Sequence, residues 1–211
     1  MFHDRIDAGL QLAKKLRKYQ DEPGVVLAVP RGGVVVGYAV AKELGFPMSL
    51  ILVKKLGHPM NKEFAIGAVS LTNEFVIPHA EASQEYIEEE IDRIRRTLKK
   101  MYPKFTPDQE PADLTGKTII VIDDGIATGN TLLMTVEMLK KKSPAKIIIA
   151  VPVASLSAVQ KLSKEVDEVI CVLIPDLFYG VGAFYEDFEE VTDDEVIYYL
   201  QRLKREMKKI V

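Results

Sequence analysis

Two rhythms of hydrophobic positions alternate along this chain, and their alternation predicts its architecture. Apolar runs at 25–29, 49–53, 119–122, 146–154 and 168–174 have the length and β-branched content of strands covered on both faces. Segments 4–19, 34–44, 131–139, 155–164 and 196–210 read as helices, the first with Ile6, Leu10, Leu12, Ala13 and Leu16 on one stripe. Strand and helix in turn mean a mostly parallel sheet with helices on both faces, so the expectation is one doubly wound α/β domain over residues 1–211. Residues 64–71 and 74–77 predict a small hairpin around Thr72-Asn73. An inserted helix over 82–102 carries a stripe of Tyr86, Ile87, Ile91, Ile94, Leu98 and Met101, and its acidic start and basic end match a helix dipole. Arg93, Arg95 and Arg96 have that structural explanation, with contact to an anion or a partner subunit as the alternative. Pro103, Pro107 and Pro111 then make an extended connector inside the domain, and His79 beside Pro78 reads as structural.

Two strand-to-helix junctions carry chemistry. At 119–131 the strand ends on Asp123-Asp124, and Gly125, Thr128 and Gly129 give a loop of small residues before the helix resumes. The first amides of a helix lack internal partners and sit at its positive end. Ile126, Ala127, Thr128, Gly129, Asn130 and Thr131 can therefore wrap a phosphate, helped by the hydroxyls of Thr128 and Thr131. Asp123 and Asp124 would repel that phosphate, so they suit hydroxyls or a metal beside it; a ribose 5-phosphate fits both demands. Residues 25–44 repeat the design, with Pro30-Arg31-Gly32-Gly33 between strand and helix and Gly45 closing the helix. Two such units place two anion cradles at one edge of the sheet.

The stretch 119–131, a hydrophobic strand, two acids and a small-residue loop with Thr-Gly and a closing Thr, resembles the signature of the type I phosphoribosyltransferases. Ala28-Val29-Pro30-Arg31-Gly32-Gly33, residues 64–69, 150–153 and 181–188 extend the resemblance to the little-characterised stand-alone phosphoribosyltransferase-like proteins. It implies a phosphoribosyltransferase that moves ribose 5-phosphate from phosphoribosyl pyrophosphate (PRPP) to a nitrogenous base or other acceptor. Mg²⁺ would be held mainly by the ligand's oxygens and waters, with Asp123 and Asp124 catalytic and touching the metal only indirectly. Arg31, Gly32 and Gly33 would bind pyrophosphate, joined by one of Lys54 and Lys55 at the end of the 49–53 strand. A mobile flap over about 56–63 would bring His58 and Lys62, and a hood over about 175–191 would bind the base. There Phe178, Tyr179 or Tyr185 would stack and Asp176 accept a hydrogen bond, with a plain packing cluster as the other reading of the aromatics. Ala127 stands where the 6-oxopurine enzymes keep an acid, which argues against that substrate class. The alternative function is a non-catalytic PRPP- or nucleotide-binding regulatory module.

Composition narrows the rest. With 28 Lys and Arg against 31 Asp and Glu, the net charge is −3, and neither a basic arm nor a helix-turn-helix pattern points to nucleic acid. The single cysteine, Cys171, sits in an apolar run and reads as a small buried hydrophobe before a reactive thiol. The N-terminus lacks the apolar core of a secretory signal and no run has the length of a membrane span, so a cytoplasmic protein without membrane contact is expected. Related folds are commonly dimers, and the stripe of the 82–102 helix is a candidate homodimer surface.

Overall fold

The computed structural model describes residues 1–62, 64–78, 81–105 and 112–208. His79, Pro107, Pro111 and the last residues of the final helix lie outside them. Five parallel strands form the central sheet: β1 (Gly24–Ala28), β2 (Met48–Leu50), β6 (Thr118–Ile122), β7 (Lys146–Val153) and β8 (Glu168–Leu173), in the order β2-β1-β6-β7-β8. The chain moves from β1 to one neighbour and later returns to pair β6 on its other side. The β1/β6 junction is thus the point where strand order reverses, and in such sheets ligands bind outside the carboxyl ends at that point.

Side-chain alternation explains why the strands are apolar throughout. Val26, Ala28, Ile120, Ile122, Ile148 and Ala150 face a core built with α1 (Arg5–Leu16), α2 (Gly32–Leu44) and α6 (Asp193–Met207). Val25, Leu27, Ile119, Val121, Ile147 and Ile149 face α4 (Asn130–Lys140) and α5 (Leu156–Leu162). The doubly wound expectation holds. Gly45 closes α2 in the left-handed conformation at φ 71°, and Thr192 with Glu195 forms both bonds of a capping box at the start of α6. Among the described residues no helix is long and apolar enough to cross a membrane.

The apolar run at 49–53 is not one strand. β2 stops at Leu50, which pairs with Ala28, the last residue of β1. Beyond it the neighbouring chain reaches Pro30, which has no N–H to offer, and the ladder ends. Residues 54–57 then start a second, antiparallel sheet of β3 (Lys54–Gly57), β4 (Ala65–Val69) and β5 (Glu74–Val76). Lys54 and Lys55 therefore open a flap strand and do not end a strand of the main sheet. This sheet is packed on both sides. Leu56 and Ile66 join the core beneath α3 (Gln84–Phe105), while Ala68 meets Met134 and Met138 of α4.

The expected stripe of α3 forms, but Ile87, Ile91, Ile94 and Leu98 are buried within the chain itself. That stripe is not a surface for a second subunit. Arg93 pairs with Glu90 and Arg95 with Glu74.

Candidate functional site

Both small-residue loops emerge at the β1/β6 reversal. The first, at 29–31, leads into α2, whose opening residues lie against the acids of the second. A Cβ on Gly33 would stand 2.8 Å from the Ile122 carbonyl oxygen and 2.9 Å from Asp123 Cα, and one on Gly32 would overlap Asp124 Oδ2. Glycine is needed there because two loops share the space. The Pro30–Arg31 peptide bond is cis.

The second loop is pinned from one side. Ile126 donates its N–H to the Val153 carbonyl at 2.9 Å and accepts from Ser155 N at 3.0 Å. Ser155 Oγ donates to Ala127 O at 2.6 Å, and Lys161 Nζ to Thr128 O at 3.0 Å and Asn130 Oδ1 at 2.7 Å. In a planar trans peptide the N–H points opposite its carbonyl, so pinning the carbonyls of Ala127 and Thr128 towards β7 and α5 turns the amides of Thr128 and Gly129 the other way. Gly129 then takes φ 71° and α4 begins at Asn130, adding the first-turn amides to the same concavity.

Between the loops stand Asp123 and Asp124. Asp123 Oδ1 accepts the Asp124 N–H at 2.9 Å, and Asp124 Oδ2 accepts Arg5 Nε–H at 2.9 Å. Among the described residues the second oxygen of each carboxylate has no partner. Burial pushes the Asp123 carboxyl well above the usual carboxylate range, and the neighbouring Asp124 charge pushes it further. Burial also raises Asp124, against the pull of its hydrogen bond to Arg5. Two unpartnered carboxylate oxygens beside a phosphate cradle suit sugar hydroxyls, and they suit the water shell of an oxygen-seeking cation carried in by its phosphates. Among the described residues no group of three or more His, Cys, Asp or Glu gathers as a metal site.

Arg31 caps α2, and its guanidinium pairs with Glu190 and lies 4.0 Å from Asp193. A cavity of about 430 Å³ opens beside it, lined by Pro30, Arg31 and Lys54 and floored by Leu98, Met101 and Phe105. Lys54 thus shares a cavity with the anion loop. Lys55 lines a second hollow, with Lys54, Arg93 and Thr97, and does not line the cavity beside Arg31.

The flap residues are engaged elsewhere. His58 is only 5% exposed; its ring packs edge-on to Phe64 and its Nε2 lies 3.4 Å from Glu81. Within the segment expected as a flap, Leu56 and His58 are buried and anchor it. Lys62 donates to Tyr86 Oη at 2.7 Å and lies 3.6 Å from Glu90, both on α3. In the hood, Tyr185 is corrected from platform to clamp. It is 6% exposed, its ring meets Phe2 and Phe188, and its hydroxyl donates to the Asp124 carbonyl at 2.6 Å. Phe178 stacks on Phe184, whereas Tyr179 is 82% exposed and Asp176 faces solvent. Arg5, Ser155 and Lys161 were missed by the sequence reading. Only Arg5 left a signal, as a cation in the first turn of a helix, where the dipole disfavours one.

The chain matches the family model described as a phosphoribosyl transferase domain over residues 3–189. It is 35% identical over 217 aligned positions to the Mycobacterium tuberculosis protein named "Putative phosphoribosyl transferase", covering 98% of this chain and 48% of that one. The chain thus spans about half the length of the curated relatives it matches. The solved structure of TT1426 from Thermus thermophilus is similar at 39% identity and a TM-score of 0.88, over 96% of this chain and 99% of that one. A Neisseria gonorrhoeae protein solved with bound ppGpp shares the fold, at 12% identity and a TM-score of 0.51 over 100% of this chain and 97% of its own.

Proposed function

The chain belongs to the phosphoribosyltransferase family, and from that membership we propose that it transfers the 5-phosphoribosyl group of PRPP to a nitrogenous base or other acceptor with release of pyrophosphate. One observation carries the reading: two anion cradles meet across an acidic pair, with a glycine of one loop seated on the other loop's backbone. A phosphate at one end, hydroxyls in the middle and a second anion at the other end describe PRPP.

The 5′-phosphate lies on the amides of 127–131 and the hydroxyls of Thr128 and Thr131. The unpartnered oxygens of Asp123 and Asp124 take the ribose 2′- and 3′-hydroxyls. Pyrophosphate lies on Arg31, Gly32 and Gly33, with Lys54 as the second cation. As the bond from C1 to pyrophosphate breaks, positive charge gathers on the ribose ring facing the two carboxylates, while Arg31 and Lys54 stabilise the departing anion. A nitrogen of the acceptor, presented from the hood near Asp176 and Tyr179, then bonds to C1 and loses its proton. Mg²⁺ brought in with the ligand would be held beside Asp123 and Asp124 and would supply charge neutralisation of the leaving group.

The test is pyrophosphate release from PRPP and Mg²⁺ across a panel of nitrogenous bases. Base-dependent release that disappears in the Asp123→Asn/Asp124→Asn double variant supports a transferase. PRPP binding without release for any base would move the reading to a non-catalytic binding module.

A further inference from the structure

Arg5 stands where helix electrostatics argue against it. It is the first residue of α1, where the positive end of the helix disfavours a cation, and its side chain is only 11% exposed. A cation withdrawn from water at an unfavourable position needs compensation, and Arg5 finds it at the acidic pair.

Three contacts fix its guanidinium. Nε donates to Asp124 Oδ2 at 2.9 Å, Nη1 donates to the Glu189 carbonyl at 2.8 Å, and the Phe188 ring lies 3.9 Å beneath the guanidinium carbon. The placement follows from the N-terminal segment, which pairs with the hood: Phe2 N donates to Phe184 O at 2.8 Å, Glu186 N to Phe2 O at 2.9 Å, and Asp187 N to His3 O at 2.9 Å. That ladder delivers α1 to the sheet edge with Arg5 aimed at Asp124. Tyr185 holds the Asp124 carbonyl from the same hood. Asp124, 17% exposed at its side chain, is therefore gripped through both its backbone and one carboxylate oxygen, and the missing Cβ of Gly32 leaves the room it occupies.

We propose that Arg5 is a positioning residue for sugar recognition: by holding Asp124 Oδ2 it leaves Oδ1, with the second oxygen of Asp123, for the vicinal hydroxyls of a ribose phosphate. This rests on the proposed reading of the site. It adds that the sugar is sensed through a residue whose guanidinium also touches the hood, at Glu189 and Phe188. The planar fork of arginine aims Nε at Asp124 and Nη1 at Glu189 in a fixed geometry that the single ammonium of a lysine does not reproduce.

The experiment compares ribose 5-phosphate with 2-deoxyribose 5-phosphate by calorimetric titration of the full chain, for the native protein and for Arg5→Gln and Arg5→Lys. The native chain is expected to favour ribose by about tenfold, the size of one charge-assisted hydrogen bond. Arg5→Gln is expected to lose that preference, with Arg5→Lys in between. The ratio of the two affinities is insensitive to how much of a variant is folded, so a purely structural role for Arg5 would weaken both sugars and leave the ratio unchanged. An unchanged ratio in Arg5→Gln overturns the positioning role alone. No preference in the native chain, or no binding of either sugar, overturns the hydroxyl-binding reading of the pair and the proposal with it.

Discussion

The two halves of the site are prepared to different degrees. Around Asp123 and Asp124 the groups we assign to the sugar are already held: Arg5 and the Asp124 amide bond the carboxylates, Tyr185 bonds the Asp124 backbone carbonyl, and Ser155 and Lys161 fix the loop beyond them. Around Arg31, the first cation we assign to pyrophosphate, the guanidinium is directed at Glu190 and Asp193. The sugar half is built before any ligand arrives, whereas in the anion half Arg31 carries internal carboxylates that an incoming anion must displace. Preorganisation stores its cost in the fold, here as buried carboxylates with raised pKa values.

The contrast is broken most severely where the halves touch. Gly33→Ala places a Cβ against the backbone of Ile122 and Asp123, which cannot swing aside. The expected cost is about 1–3 kcal/mol of stability, as for overpacking in a tight interior, together with loss of PRPP binding; thermal unfolding and calorimetry read the two effects.

Asp123→Asn should sharpen the contrast by raising stability while harming function. Its carboxyl keeps a proton to higher pH in the folded chain than in the unfolded one. Between those two values the folded state binds more protons, so stability falls as pH rises through that window. The variant is therefore expected to melt above the native chain at neutral pH. The gap should close below about pH 4, where both states of the native residue are protonated. A variant that melts lower at pH 7 would contradict the strained-pair picture.

Tyr185→Phe removes one hydrogen bond from the sugar half and is expected to cost about 1 kcal/mol, or roughly 2–4 °C in Tm for a chain of this size. The smallest effect belongs to the anion half. Glu190→Gln frees Arg31 from an exposed ion pair worth about 0–1 kcal/mol, so inorganic pyrophosphate should bind up to about fivefold more tightly, with Tm lowered by no more than about 2–4 °C.

The sheet was legible in the sequence because buried parallel strands write themselves as apolar runs, and 25–29, 119–122, 146–154 and 168–174 each became one strand. The run at 49–53 misled because its residues are as apolar as a strand's, while pairing depends on the neighbour, and that neighbour reaches Pro30. Asp123, Asp124 and the two loops were visible as local motifs. The clamping role of Tyr185 was not, and Arg5 showed only as a cation out of place in the first turn of α1, since each meets Asp124 across a long stretch of chain, 119 residues for Arg5 and 61 for Tyr185, with no local pattern to name the partner. The aromatics of 178–188 were seen, but their direction was not. Phe178 and Tyr185 pack inward, and Tyr179 is exposed.

The central claim, that the two cradles and the acidic pair form one site for PRPP, is tested most directly by calorimetric titration of the native chain with PRPP, with and without Mg²⁺, beside ribose 5-phosphate. Expected is binding of PRPP that depends on Mg²⁺ and exceeds that of ribose 5-phosphate by at least about tenfold, because only PRPP engages Arg31 and Lys54 as well as the 126–131 loop. Equal affinity for the two, with or without the metal, would mean that the loops act separately, and it would contradict the claim.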